Sequence, residues 1–258
     1  MTLGPQRIVC LSAETVDTLY RLGAADRVVG ISGFTVYPPE ARRQKPRVST
    51  YTSAQIDRVL ALQPDLVLGF SDLQADLLAA LMRAGVAVHG FNQRTVAGIL
   101  DSVHTLGALV AAPEAAQALV EELEGLMATV RAQAPSQRAR VYFEEWMDPM
   151  ICGIEWVSEL IELAGGTDVF AEQARAPAAS ARVVSEAEVL AAAPEWIVAS
   201  WCGRRCRPEH IMQRPGWSHL PAVQSGQVCE IKSADILQPG PMAIERGLMQ
   251  LAARFAGV

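Results

Sequence analysis

Glu14-Thr15-Val16-Asp17-Thr18-Leu19-Tyr20-Arg21-Leu22-Gly23-Ala24-Ala25-Asp26 reads against Glu155-Trp156-Val157-Ser158-Glu159-Leu160-Ile161-Glu162-Leu163-Ala164-Gly165-Gly166-Thr167-Asp168, with one residue inserted before the glycine. Each copy predicts a short helix stopped at Gly. Further on, Val59-Leu60-Ala61-Leu62-Gln63-Pro64-Asp65-Leu66-Val67-Leu68 is echoed by Val189-Leu190-Ala191-Ala192-Ala193-Pro194-Glu195-Trp196-Ile197-Val198. Both read as a helix end, a Pro breaker and a buried strand. Two related lobes with a cleft between them are the expectation.

The 258 residues, half of them hydrophobic, suffice for two lobes with full cores. A net charge of −6 argues against a nucleic acid backbone as the main partner, which calls for clustered Lys and Arg. Arg42-Arg43-Gln44-Lys45 and Arg204-Arg205 are the two basic clusters, and the first reads as a solvated loop. Five cysteines, at 10, 152, 202, 206 and 229, are odd in number and not spaced as a disulfide framework. Cys10, Cys152 and Cys229 stand in apolar runs and read as reduced core residues. Residues 1–7 lead straight into a strand and leave no room for a secretion signal, so the chain reads as cytoplasmic as written, or as periplasmic if a native signal was removed. No apolar run is long enough to span a bilayer, and a monomer is expected.

Strands predicted at 7–11, 28–31, 66–70 and 86–91 alternate with helices at 14–22, from about 53 and at 72–83, which implies parallel βαβ units. Ala112-Pro113-Glu114 opens a helix with Pro in its first turn, and Leu119, Leu123, Leu126 and Val130 keep helical spacing until Pro135. That helix, of about 20 residues and on the order of 30 Å, is long enough to tie two lobes together. The scheme then repeats, with strands at 140–144, 196–200 and 227–231, helices at 156–163, 186–192 and 208–212, and a closing helix from about 242 to 255. The expected domains are a βα lobe over 1–111, a backbone helix over 112–137 and a second βα lobe over 138–258.

Ligands of open parallel α/β sheets lie beyond the carboxyl ends of the strands. Those ends carry Phe34, Phe70, Trp146 and Trp201, and the long loop adds Tyr37 and Tyr51, an aromatic lining suited to a large flat ligand. Each of these residues has a bland alternative as a lid over its sheet end. Glu144, Glu145 and Asp148 form the densest acid cluster. Adjacent strand residues point to opposite faces, so only one of Glu144 and Glu145 is expected to face the cleft. Cys202 and Cys206 flank Gly203-Arg204-Arg205, whose guanidinium groups would lower a thiol pKa. The four histidines are scattered, which speaks against a zinc site, and neither phosphate-binding glycine motif is present. No catalytic constellation and no protein-held metal emerges.

Arg7-Ile8-Val9-Cys10-Leu11-Ser12, Tyr37-Pro38-Pro39, Val48-Ser49-Thr50-Tyr51 and Ile56-Asp57-Arg58-Val59-Leu60-Ala61-Leu62-Gln63-Pro64-Asp65-Leu66-Val67 resemble the substrate-binding proteins of ABC importers that take up cobalamin and iron–siderophore chelates. The cobalamin-binding branch is the nearest. The resemblance implies a helical-backbone metal receptor with two Rossmann-like α/β lobes. It also implies corrinoid contacts from Tyr37, Tyr51 and Phe70, and permease-docking acids at Asp72 or Asp76 and at Glu209. Glu145, Trp146, Trp201, Cys202, Arg204 and Gln238 complete the expected ligand-binding set. No cofactor is required. The leading expectation is a non-enzymatic receptor for cobalamin or another metal chelate, with an ABC permease and ATPase as partners. The alternative is a cytoplasmic enzyme or metal- or tetrapyrrole-handling protein in which Glu144, Glu145 and Cys202 act on the ligand.

Overall fold

The computed structural model describes residues 4–50 and 54–256. The chain divides into two compact units, Met1–Gln93 with Ala97–Leu123, and Arg94–Val96 with Glu124–Val258.

The first unit is built on five parallel strands, β1 (Ile8–Cys10), β2 (Val28–Ser32), β3 (Arg47–Ser49), β4 (Leu66–Phe70) and β5 (Val88–Phe91), in the order β3-β2-β1-β4-β5. Every residue of β1 and β4 is buried, which is why both strands read as unbroken apolar runs rather than alternating ones. Its helices are α1 (Ala13–Arg21), α2 (Pro39–Gln44), α3 (Ile56–Ala61), α4 (Ala75–Arg83) and α5 (Val96–Leu109). Three elements, β3, α2 and α5, go beyond the bounds of the sequence reading. The polar loop holds α2, which opens on Pro39 and carries Arg42 and Arg43 in its last turn, where cations complement the helix dipole. Residues 96–109 form α5.

The long helix α6 runs over Pro113–Gln133. The division between the units falls inside it, after Leu123.

The second unit holds β6 (Ala139–Met147), β7 (Met150–Cys152), β8 (Gly166–Asp168), β9 (Trp196–Ala199) and β10 (Val228–Glu230). Around them lie α7 (Glu155–Leu163), α8 (Ala171–Ala174), α9 (Glu186–Ala192), α10 (Pro208–Met212), α11 (Pro221–Gln224), α12 (Ser233–Ile236) and α13 (Met249–Phe255). The closing helix begins with wide π turns over Ala243–Leu248 before α13. β6 pairs in parallel with β9 along one side. Along the other it meets β8 in parallel over Ala139–Val141 and then β7 in an antiparallel hairpin from Glu144 onward. β6 therefore extends three residues past the expected end at Glu144.

The internal repeat extends to the strand order, in which β2-β1-β4-β5 corresponds to β8-β6-β9-β10. Gly23 and Gly165, after the paired helices α1 and α7, have φ of 74° and 91°, which favours glycine. At Gly165 a Cβ would also lie 2.5 Å from Pro135 Cδ. The Pro breakers are matched too. Gln63 and Ala193, one residue before each Pro, turn left-handed at φ of 46° and 43°. Asp65 then accepts the backbone N–H groups of Gln6 (2.6 Å) and Arg7 (2.9 Å), as Glu195 accepts that of Arg140 (2.8 Å). The Arg7 guanidinium donates to the Leu62 carbonyl at 2.6 Å, and that of Arg140 to the Ala192 carbonyl through Nε at 3.1 Å and through Nη2. In both copies an arginine at the strand entrance thus satisfies carbonyls that the preceding helix leaves open.

Candidate functional site

In the first unit, side chains tie the carboxyl ends of the strands together. Gln74 is buried and bridges β1 and β4, donating to the Leu11 carbonyl (3.3 Å) and accepting from the Phe70 N–H (3.1 Å). Ser49 Oγ donates to the same Leu11 carbonyl at 3.4 Å. Phe70 is 2% exposed and registers beside Phe91 of β5. Tyr37 is half-buried on the turn leading into α2, and Phe34 is 42% exposed. Tyr51 lies outside the described residues. Asp72, in a turn capped by Ser71, and Asp76, in the first turn of α4, are both exposed, as the docking expectation requires of acids.

Sequence reasoning passed over Glu14. It stands in the first turn of α1 at the end of β1 and is 7% exposed, and burial pushes its carboxyl up to about 7. Its Oε1 has no hydrogen-bond partner among the described residues. A carboxyl so placed is cheap to bury only when protonated.

In the second unit the acid pair at the end of β6 is clamped from both faces. Glu144 is fully buried. Its oxygens accept two hydrogen bonds from Arg214 (2.5 and 2.9 Å), one from Trp201 Nε1 (3.0 Å) and one from the Tyr142 hydroxyl (3.2 Å). Arg214 also stacks 4.6 Å over the Trp217 ring. Burial, then the neighbouring Glu144 charge, pushes the Tyr142 hydroxyl well up. On the other face Glu145 takes a bidentate pair from Arg182 at 2.6 and 3.1 Å, and Arg182, 2% exposed, also donates to the Cys152 carbonyl at 2.6 Å. Opposite-facing neighbours on a strand were foreseen; the two arginines were not. The available signal was that a carboxylate in an apolar strand requires a buried cation.

This arrangement bears on three expectations. Glu145 is held by Arg182 through both oxygens. Trp201 is 5% exposed, packs in the core with Tyr142, Phe170 and Trp217, and commits its indole N–H to Glu144. It covers the sheet end and presents no aromatic face. The Cys202 thiol, on an exposed residue, is pushed up and not down, by local burial first and then by the Glu145 charge. Cys206 is buried, with its thiol raised to about 12 by burial, whereas Cys229 is only half-buried. All five cysteines are free.

Trp146 and Arg204 lie together: the guanidinium is 5.7 Å from the centre of the half-buried indole, whose N–H donates to the Asp148 carbonyl at 2.9 Å. Gln238 is half-buried just after α12, its carbonyl accepting from the Gly240 N–H at 2.8 Å. Glu209 is exposed in the first turn of α10. Among the described residues no group of three or more His, Cys, Asp or Glu is arranged to hold a metal ion, and no helix is long and apolar enough to cross a membrane.

A fold of two repeated parallel βα units, with aromatics at strand ends and its acids neutralised internally, agrees with the sequence comparison, which matches periplasmic binding proteins across residues 8–234. The chain belongs to the periplasmic binding protein family. It is similar to the vitamin B12-binding protein of Vibrio cholerae, 26% identical over 249 residues that cover 93% of this chain and 86% of the relative. The solved periplasmic vitamin B12 binding protein BtuF of Vibrio cholerae superposes with a TM-score of 0.78 at 25% identity, covering 97% of this chain and 96% of that one. The periplasmic heme-binding protein RhuT from Roseiflexus sp. RS-1, in apo form, superposes with a TM-score of 0.85 at 21% identity over 98% and 99% of the two chains, a likeness of fold.

Proposed function

We propose that this protein is the substrate-binding component of an ABC importer, working outside the cytoplasm and taking as substrate a corrinoid or a similar flat metal chelate. The observation that carries the proposal is the match to vitamin B12-binding proteins along 93% of the chain. The chemistry of the second unit supports it. Glu144 and Glu145 are each held by an arginine, and the thiols of Cys152, Cys202 and Cys206 are all raised. Neither these acids nor these thiols are poised as base or nucleophile, which disfavours the enzymatic alternative built on Glu144, Glu145 and Cys202. Tyr37 on the first unit and Trp146 with Arg204 on the second offer aromatic surface and charge at strand ends, the chemistry that a corrin or porphyrin face and its polar periphery require. The exposed Asp72 or Asp76 and Glu209 are the acids proposed to meet the permease.

A thermal-shift panel of cyanocobalamin, cobinamide, hemin and a ferric siderophore tests the assignment. A true ligand at about 100 times its dissociation constant stabilises by about 2.7 kcal/mol. Stabilisation by the corrinoids is the expected result, and no shift from any of the four would overturn it.

A further inference from the structure

The first unit contains a second site, on the helix-end side of its edge strand and apart from the strand carboxyl ends. A cavity of about 750 Å³ is lined by Arg42, Arg43, Lys45, Arg47 and Arg58, with Val48 and Leu62 among its apolar walls. Arg42 and Arg43 come from the last turn of α2, Arg47 from the first residue of the edge strand β3, and Arg58 from α3. Five cations and no carboxylate line this cavity, in a chain whose net charge is −6.

Helix-end placement accounts for Arg42 and Arg43 on α2 and for Arg58 on α3, but not for Lys45 and Arg47 beside them or for the lack of any carboxylate in the lining. The carbonyl of Leu62 at the end of α3 is already occupied by the Arg7 guanidinium, which does not line the cavity, and the α2 carbonyl at Ala41 accepts the Lys45 backbone N–H at 2.9 Å. Arg42 reaches only the Thr35 carbonyl, at 3.5 Å, and the other four cations form no ion pair among the described residues. Like charges gathered within roughly a Debye length, about 10 Å at 0.1 M salt, repel one another, and a multivalent anion relieves that repulsion. Four of the five are arginines, whose planar forks match phosphate oxygens two at a time.

We propose that this cavity binds a compact anion carrying two or more phosphate groups, or the phosphate of an anionic lipid headgroup. Tripolyphosphate serves as the free-phosphate probe in isothermal titration of the full chain. Saturable binding is expected, falling by about tenfold or more between roughly 50 and 200 mM KCl if several phosphate charges are neutralised. The double variant Arg43→Ala/Arg58→Ala should weaken it by at least about tenfold with an unchanged melting temperature. The control Arg83→Ala/Arg131→Ala removes the same charge from exposed positions away from the cavity and should bind as the wild type does. Flotation with phosphatidylglycerol-containing and pure phosphatidylcholine vesicles identifies the source. Flotation that needs phosphatidylglycerol and is lost only in the Arg43/Arg58 variant also supports the site and assigns it to a headgroup. Absence of binding to both probes, or equal loss in the two double variants, would overturn the proposal.

Discussion

Replacing Arg214 by Met should be among the most damaging single changes in the second unit, and the reason is the charge it leaves behind. Glu144 is fully buried and takes two of its four hydrogen bonds from Arg214, at 2.5 and 2.9 Å. Removing one member of a buried pair costs about 3–5 kcal/mol, because the remaining carboxylate is neither solvated nor neutralised. For a chain of this size each kcal/mol lowers the melting temperature by roughly 2–4 °C, so a drop of about 6–20 °C is expected. The double variant Glu144→Leu/Arg214→Met buries no charge but leaves Trp201 Nε1 and the Tyr142 hydroxyl without their acceptor at about 1–3 kcal/mol each, so its loss should be clearly smaller than the sum of the two single losses. Melting curves of the two single variants and the double variant, compared as a cycle, measure the coupling. A cost below about 1 kcal/mol for Arg214→Met, or strictly additive losses, would refute the claim that Glu144 is a structural group and would return it to the list of reactive ones.

Three further outcomes follow from the same geometry. Glu14 has a folded pKa of about 7 against 4.5 when free, so the folded state binds the proton more tightly and this group's contribution is lost as pH rises from 4.5 through 7. Glu14→Gln should remove that slope and gain on the order of 3 kcal/mol relative to wild type between pH 4.5 and 8, whereas parallel stability profiles would contradict the burial argument. Native protein treated with N-ethylmaleimide near pH 7.5 should be labelled first at Cys202, with Cys10, Cys152 and Cys206 protected until unfolding; early labelling of those buried thiols would count against the core assignment. Trp201→Ala should cost about 3–5 kcal/mol of stability as a core truncation, while Trp146→Ala should cost less stability and weaken chelate binding by roughly 5- to 150-fold. The reverse pattern would restore Trp201 as the ligand's partner.

The duplication was legible because it is written in breakers and periodicity. Gly23 and Gly165 stop matched helices, and Pro64 and Pro194 introduce matched strands, each leaving a local signal independent of tertiary context. The Arg7 and Arg140 clamps were not legible, since an arginine before a strand looks solvated until the helix end above it is placed. The site was half legible. Pattern alone located the end of β4 and named Trp146 and Arg204 separately, but it placed the end of β6 three residues early and did not separate Trp201 from Trp146. One is buried by its neighbours and the other half-exposed, and that difference is set by Glu144, Arg214 and Trp217, which are distant in sequence. The basic run at 42–45 showed the same limit: Arg47 and Arg58 join it only when β3 and α3 fold beside α2.

Isothermal titration of the purified chain with cyanocobalamin, and in parallel with hemin, followed by mass analysis of the recovered ligand, tests the central claim most directly. A receptor should bind one equivalent of its chelate with a dissociation constant of about 1 μM or tighter, equivalent to roughly −8 kcal/mol, and return it chemically unchanged. Failure to bind either chelate, or recovery of an altered ligand, would contradict the account.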